Sequence, residues 1–349
     1  MKLTRELLLD DERRMLLESV ADYRKAVLDD TAREMDESPA SGKVEEAWRK
    51  AGSLGLTAAL VSEKGGGQGM DARSFYLVLS EVARASAGFA ALMLSHNLAL
   101  WALERAGRGE AVKEFGNGEG SAALAWPFRE LDVGGQSVFV PGGCTAKLII
   151  FASGSGELFS VEPDDASVSL KEISYPMGLR ASRPAALGVK DLSDLEASGR
   201  LSPESSDELE GSLLLGAAAL SLGLARQAYD RAHAYASERY QGGDLIINHQ
   251  QIRLMLAEML VGLEAGEAAL EQAAESRGTG GPRVSACRAA KVFAADMAVA
   301  ATLDAVQIHG GYGYMRDYGM ERLMRDAKYC QAYPRPPQEE TLSILKEME

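Results

Sequence analysis

The chain changes its periodicity twice, and this constrains the fold more than any other feature. From residue 1 to about 117, apolar residues recur at helical spacing. Between about 121 and 190, short alternating stretches are bounded by Gly, Pro, Asp and Ser, which is typical of strands. From about 207, long helical runs return. The predicted helices are 44–54, 72–84, 90–106, 207–238, 249–277 and 283–308, with shorter ones after Arg316 and Gln338.

Helices and strands in separate blocks favour segregated α and β parts over alternating βαβ units. The sequence therefore predicts a mainly α protein with a small central β domain. Long and short C-terminal helices suit a four-helix bundle. The predicted domains are 1–120 (helical), 121–200 (a shortened β domain) and 201–349 (the C-terminal helical bundle). The predicted strands are 121–126, 137–140, 147–152, 157–161 and 185–189.

Charge and composition exclude several classes of function. The 349 residues include 37 Lys and Arg against 51 Asp and Glu, which gives a net charge of −14. Nucleic acid and anionic membrane surfaces are therefore not expected as partners. No apolar run reaches the roughly 18 residues of a membrane span. The three cysteines and four histidines are dispersed, so no metal site is predicted, and a cytoplasmic protein is expected.

The strongest motif is QIHGGYGY over 307–314, followed by ERLMRDAK over 321–328. The small residues Gly310 and Gly311 let a backbone approach a dinucleotide closely, and Gln307 can offer its amide to a phosphate or ribose. At this spacing the block resembles the QxxGGxGY…ERxxRDA segment of the acyl-CoA dehydrogenase family. Further segments extend the resemblance over nearly the whole chain: 54–69, 177–182, 238–239 and 248–259.

The resemblance implies FAD as cofactor and α,β-dehydrogenation of an acyl-CoA thioester. It also implies a dimer or tetramer, because each flavin of the family lies between two subunits. The β-domain loops and the base come from the flavin's own chain. In this chain the residues that would serve the neighbour's FAD are Arg239, His249, Gln307, Gly310 and Gly311.

The expected catalytic base is missing from its usual place. Most members carry it as the glutamate of a Tyr-Glu-Gly-Thr segment, where this chain has Tyr333-Pro334-Arg335. Proline has no titratable group and cannot abstract a proton. Some members place the glutamate at the start of a long helix, a position counted here as Leu213. The nearest carboxylate, Glu210, is a catalytic candidate only with a local rearrangement, so the sequence assigns no catalytic residue.

Other own-chain features of the family are eroded. The stretch 125–132 keeps only the Pro and Asp of the TEPxxGSD loop, and no counterpart of the Trp-Ile-Thr segment that covers the flavin is recognised after 138–140. After Arg239, a Gly-Gly pair at 242–243 replaces the usual Phe-Gly. Most of the own-chain half of the flavin site is therefore predicted to be absent, whereas much of the neighbour half is present.

Three interpretations follow. The first is a catalytically degenerate subunit that pairs, as a homo- or hetero-oligomer, with a dehydrogenase-like chain and completes that chain's FAD site. In the second, the chain is an active flavin-dependent acyl-CoA dehydrogenase with a relocated base. In the third, it is a binding or scaffold protein without flavin, since a fold does not fix a function.

Overall fold

The chain begins with a layer of helices, as predicted. The computed structural model describes residues 9–126, 138–153, 156–191, 195–275 and 284–349. Side chains cap two of the first helices: Asp71 accepts from the Ser74 amide at 3.1 Å and Ser86 from the Phe89 amide at 3.3 Å. The helices are α1 (Asp11–Tyr23), continued by a π-helical turn (Arg24–Leu28), α2 (Ala32–Glu37), α3 (Lys43–Ser53), α4 (Ala72–Ala85), α5 (Ala87–Arg105) and α6 (Glu110–Phe115).

The middle of the chain forms two small sheets that share a core. The strands are β1 (Ala122–Leu124), β2 (Val138–Val140), β3 (Leu148–Ala152), β4 (Glu157–Val161), β5 (Val168–Glu172), β6 (Ala185–Val189) and β7 (Gly199–Arg200). Their order is β1-β3-β4-β7 and β2-β6-β5. Among the described strands of these two sheets, only β1 and β3 pair in parallel. Phe151, Phe159 and Leu187 pack between the sheets.

The fifth strand was not predicted from the sequence. Its residues alternate weakly, and its second half, with Lys171 and Glu172, is exposed. Backbone pairing with β6 defines this strand, from Val168 opposite Val189 to Glu172 opposite Ala185. A strand that buries little apolar surface gives a weak pattern, and its partner decides its existence.

Long helices form the C-terminal part. They are α7 (Pro203–Glu238), α8 (Gln250–Glu275), α9 (Val284–His309), α10 (Met320–Ala332) and α11 (Pro337–Met348), with a hairpin of β8 (Tyr240–Gln241) and β9 (Asp244–Leu245) after α7. α7 begins earlier than the predicted residue 207, because Ser202 caps it by accepting from the Ser205 amide at 3.1 Å. Pro203 suits the first helical position, where no amide donor is needed.

α7 is the central element of the molecule. It packs against α8, α9 and α10 to form a four-helix bundle, and against α4 and α5 of the N-terminal layer. By length and composition α7 could cross a membrane, but 89% of its apolar window is buried inside the protein, as in a core helix. The mainly α fold with a small central β domain is thus confirmed.

Candidate functional site

One exposed surface gathers the residues predicted to contact a neighbour's flavin. It lies where α7 ends and the β8–β9 hairpin follows. The guanidinium of Arg239 lies 5.9 Å from the ring centroid of Tyr312, so the hairpin meets the turn after α9. Nη2 of Arg239 donates a long hydrogen bond of 3.4 Å to Oε1 of Gln241. Nε2 of His249 lies 2.9 Å from the Gln241 carbonyl oxygen and so braces the hairpin.

The turn after α9 presents bare backbone to the outside. Gly310 has a φ of +60°, in the left-handed region that favours glycine. A Cβ added at Gly310 or Gly311 would meet no atom within 4 Å. Gln307, one turn earlier on α9, is also exposed. We call these five residues, Arg239, His249, Gln307, Gly310 and Gly311, the half-site.

Aromatic rings pack beside the turn that carries Gly310 and Gly311. Tyr235 of α7 stacks on His309 at a centroid distance of 4.4 Å, and Tyr318 lies 5.1 Å from Tyr312. Burial lowers the pKa of His309, whose Nδ1 lies 2.8 Å from the Ala305 carbonyl oxygen. The ring is therefore fixed at the end of α9 by this contact and by the stacking on Tyr235.

The second part of the motif has a different role, because it ties the three parts of the chain together. Nη1 of Arg322 donates to the carbonyl oxygens of Ala32 and Ala85 at 3.1 and 2.9 Å. These carbonyls belong to the first residue of α2 and the last residue of α4. Arg325 binds Asp36 of α2, with an Nη2–Oδ2 distance of 2.6 Å.

Asp326 connects α10 to the β domain. Its Oδ1 accepts a hydrogen bond from the Leu179 amide at 2.7 Å. The preceding residue, Gly178, lies so close to α10 that an added Cβ would stand 2.5 Å from the Arg325 carbonyl oxygen. Asp326 is 3% exposed, and burial, followed by the charge of Asp36, raises its pKa to about 6. The ERLMRDAK block is therefore a buried connection between domains, a role that its sequence did not reveal.

The segment that should carry the base is held from both sides. Lys291 of α9 is fully buried, and its Nζ donates to the carbonyl oxygens of Gln331 and Arg335, each at 2.9 Å. Pro334 lies between these two carbonyls in the chain. Burial lowers the pKa of Lys291 to about 8. Tyr333, beside the proline, is 4% exposed.

Glu210 belongs to a cluster of ion pairs with two arginines and a second glutamate. Its Oε1 lies 2.7 Å from Nη2 of Arg288 and is also bound by Nη2 of Arg335. Both arginines also bind Glu340, which is fully buried at the start of α11. The two positions considered for a base, the loop at Pro334 and the start of α7, are thus adjacent in space. Glu210 serves there as the anion of two ion pairs.

An aromatic side chain of the β domain also reaches this region. Phe139 of β2 lies 4.9 Å from the ring centroid of Tyr329 and 5.9 Å from that of Tyr333. From the sequence, no counterpart of the family's Trp-Ile-Thr segment was recognised after 138–140. The sequence position of Phe139 could have indicated this contact, because Phe139 lies in a strand next to the buried Val140.

Comparisons with known proteins decide the family. The profile "Acyl-CoA dehydrogenase, N-terminal domain" matches residues 10–117, and "Acyl-CoA dehydrogenase, C-terminal domain" matches residues 215–334. The chain belongs to the acyl-CoA dehydrogenase family. It is 30% identical to an acyl-CoA dehydrogenase of Bacillus subtilis over 335 residues, covering 85% of this chain and 88% of that one.

Other acyl-CoA dehydrogenases match over still more of the chain. A short-chain specific acyl-CoA dehydrogenase of Clostridium acetobutylicum is 28% identical, with 93% of this chain and 94% of that one covered. The structure of butyryl-CoA dehydrogenase from Megasphaera elsdenii superimposes with a TM-score of 0.83 at 23% identity, covering 97% of this chain and 98% of that one. At that identity the likeness shows the fold alone.

In this member of the acyl-CoA dehydrogenase family, the site residues predicted from the sequence fall into two groups that lie in different places. The half-site residues lie at one exposed surface, whereas Glu210 lies in the charge cluster beside Arg335. The loop residues 127–132 lie outside the described residues. A cavity of about 680 Å³ opens between Phe115 and Leu148, and no half-site residue lines it. Among the described residues, no group of three His, Cys, Asp or Glu could hold a metal.

Proposed function

We propose that this chain is a non-catalytic subunit that completes the FAD site of a partner acyl-CoA dehydrogenase-like subunit. One observation carries the proposal. Pro334 stands at the position of the family's base, and the nearest alternative carboxylate, Glu210, is bound by both Arg288 and Arg335. A carboxylate fixed by two guanidinium groups is poorly placed to take a proton from a substrate.

The half-site suits one side of a dinucleotide. Arg239 offers an exposed cation for a pyrophosphate, and Gln307 offers an amide donor. The open backbone at Gly310 and Gly311 leaves room for a group that approaches from outside the chain. FAD bound in the partner would accept the hydride. The residues of this chain would hold the cofactor and exclude water from it.

An active dehydrogenase is the second candidate. The Bacillus subtilis relative, which is called an acyl-CoA dehydrogenase, favours it. This function would require Glu210 to leave both arginines and approach the α-carbon of an acyl-CoA. Arg288 and Arg335 would then each lose one carboxylate and keep Glu340 as a partner, and removing one partner from a buried ion-pair network is destabilising.

Flavin absorbance tests the proposal. The chain is purified alone and after co-expression with family members of the same genome that retain the Tyr-Glu-Gly-Thr glutamate. We expect a colourless lone chain and a yellow, active complex. In the complex, Arg239→Ala should weaken FAD retention at least about tenfold, since a charged hydrogen bond contributes about 1.5–3 kcal/mol. The control Arg49→Ala alters an exposed arginine on α3.

Two results would contradict the proposal. Yellow colour and turnover by the lone chain would establish the active dehydrogenase instead. A colourless lone chain that forms no complex with any of these family members would favour the scaffold interpretation. Equal FAD retention in the Arg239→Ala and Arg49→Ala complexes would remove Arg239 from the half-site.

A further inference from the structure

A carboxylate of the last helix is held between two arginines, as an anionic ligand would be. Glu340 is fully buried, and each of its oxygens is bound by a different guanidinium group. Oε2 accepts from Nη1 of Arg288, and Oε1 accepts from Nε of Arg335 at 3.1 Å. Guanidinium groups bind carboxylate and phosphate oxygens with the same set of donors. The arrangement is therefore that of an oxyanion site whose anion belongs to the chain itself.

The helix that supplies this anion buries little else. Among the residues of α11 whose burial is described, Glu340 alone is buried. The side chains of Leu342 and Leu345 are 60% and 56% exposed. A second carboxylate of the helix, that of Glu347, binds Arg288 with an Oε1–Nε distance of 3.1 Å. Because helices are usually fixed by the burial of an apolar face, a helix attached mainly through ion pairs can detach while the bundle remains folded.

A short extended connection joins α11 to the rest of the chain. Pro336 has a ψ of 144°, and Pro337 is the first residue of the helix, where no amide donor is needed. Before this connection, the carbonyl oxygen of Arg335 accepts from the buried Nζ of Lys291 at 2.9 Å. Opening of α11 at the connection would therefore move Glu340 and leave Arg335 in place.

The balance of charge changes when α11 opens. In the closed chain, two arginines form ion pairs with three carboxylates, those of Glu210, Glu340 and Glu347. Two of these carboxylates leave with α11, so Arg288 and Arg335 then face only that of Glu210. Buried charges need partners, and an external oxyanion would replace the carboxylate of Glu340.

We propose that Arg288 and Arg335 form an oxyanion-binding site that Glu340 fills in the closed chain, and that α11 is a strap displaced when an external carboxylate or phosphate group binds there. The proposal is independent of the proposed function, because it involves no residue of the half-site. The site lies beside the Pro334 loop and near the starts of α7 and α9. Displacement of α11 therefore opens this region to ligands.

Hydrogen–deuterium exchange of the full chain at neutral pH tests the strap. In Glu340→Gln, the amides of α11 should exchange at least about tenfold faster than in wild type, because charged hydrogen bonds to both arginines are weakened. The amides of α8 are the internal reference and should not change. Glu18→Gln, which alters an exposed residue of α1, is the matched control. Equal exchange of α11 in the two variants would overturn the strap.

Inorganic phosphate and acetate test the oxyanion site, each titrated against chloride at equal ionic strength. In wild type, an anion that displaces Glu340 should speed the exchange of α11. In Glu340→Gln, where the site lacks its internal anion, the same anion should raise the melting temperature, because it binds the folded state. Adding Arg288→Met, which removes one guanidinium, should abolish this rise.

The two anions distinguish the sources of the oxyanion. A response to phosphate alone would support a ligand with a phosphate group, and a response to acetate alone would support a carboxylate ligand. Exchange of α11 that responds to neither anion in wild type would overturn the site, whether or not Glu340→Gln folds. A rise in melting temperature that persists after Arg288→Met would place the anion elsewhere and overturn it as well.

Discussion

Asp326 has neighbours that act on its ionisation in opposite directions. Burial and the nearby Asp36 raise its pKa, whereas Arg322 and the Leu179 amide lower it. Burial is the largest of these effects, so the pKa reaches about 6. The carboxylate belongs to the motif that identifies the family, yet its contacts join α10 to the β domain. At this residue the motif therefore contributes to the packing of the β domain on α10.

Asp326→Asn should change how stability depends on pH. The folded pKa is raised above that of the unfolded chain, so the stabilisation by the protonated form is complete below about pH 4 and lost as pH rises through about 6. We expect the stability difference between wild type and variant to shift by about 3 kcal/mol across this window. Asparagine still accepts from the Leu179 amide.

Urea unfolding measures the effect at a series of pH values from about 3 to about 8. This series extends beyond the range in which Asp326 titrates on both sides. Asp317→Asn is the control, because Asp317 is 70% exposed in its ion pair with Arg33. The same pH dependence in wild type and Asp326→Asn would show that Asp326 does not titrate in this way.

At the scale of elements, close packing of α7 on α4 decides how the N-terminal helices meet the bundle. A Cβ added at Gly223 would stand 2.2 Å from the Ser80 carbonyl oxygen and 2.8 Å from Cβ of Ala83. The first of these atoms belongs to the backbone and cannot rotate away. A glycine inside α7, where alanine would favour the helix itself, therefore permits the crossing.

Gly223→Ala should destabilise the protein despite the better helix propensity of alanine. The propensity gain is at most about 1 kcal/mol, whereas overpacking in a core costs typically about 1–3 kcal/mol. A clash with backbone places this site at the upper end, so we expect a net loss of about 2 kcal/mol. Chemical denaturation measures it. Gly109→Ala, where a Cβ meets no atom within 4 Å, is the control. Equal stability of the two variants would contradict the close crossing.

For the whole molecule, the residues predicted to contact a neighbour's flavin and the region where the base is expected have different surroundings. Four of the five half-site residues are exposed, His249 is half-buried, and the backbone at Gly310 and Gly311 is open. The region of Pro334 is held by Lys291 and by the ion pairs of Arg335. A chain arranged in this way suits a role beside a flavin-bearing subunit, and this is the basis of the proposed function.

Gly311→Leu separates folding from the assembled function. Because the space around Gly311 is open, the unfolding free energy of the lone variant should lie within about 0.5 kcal/mol of the wild-type value, as for other surface substitutions. In the complex, the new side chain would occupy the space proposed for the cofactor, and FAD retention should fall at least about tenfold. Flavin fluorescence after gel filtration measures it. Gly109→Leu is the control, and equal retention by both variants would contradict the half-site.

The sequence by itself determined the order of most helices and strands, the family motif and the presence of proline at position 334, where the resemblance places the family's base, because periodicity and residue identity are local properties. It missed strand β5, whose existence depends on pairing with β6, and it gave no sign that Arg322, Arg325 and Asp326 join three domains. The tertiary structure alone decided that Glu210 pairs with Arg288 and Arg335, because those residues are 78 and 125 positions apart in the chain. It also decided that Arg239 lies beside Tyr312, so that the hairpin after α7 meets the turn after α9. Burial and proximity between distant residues arise only when the chain packs.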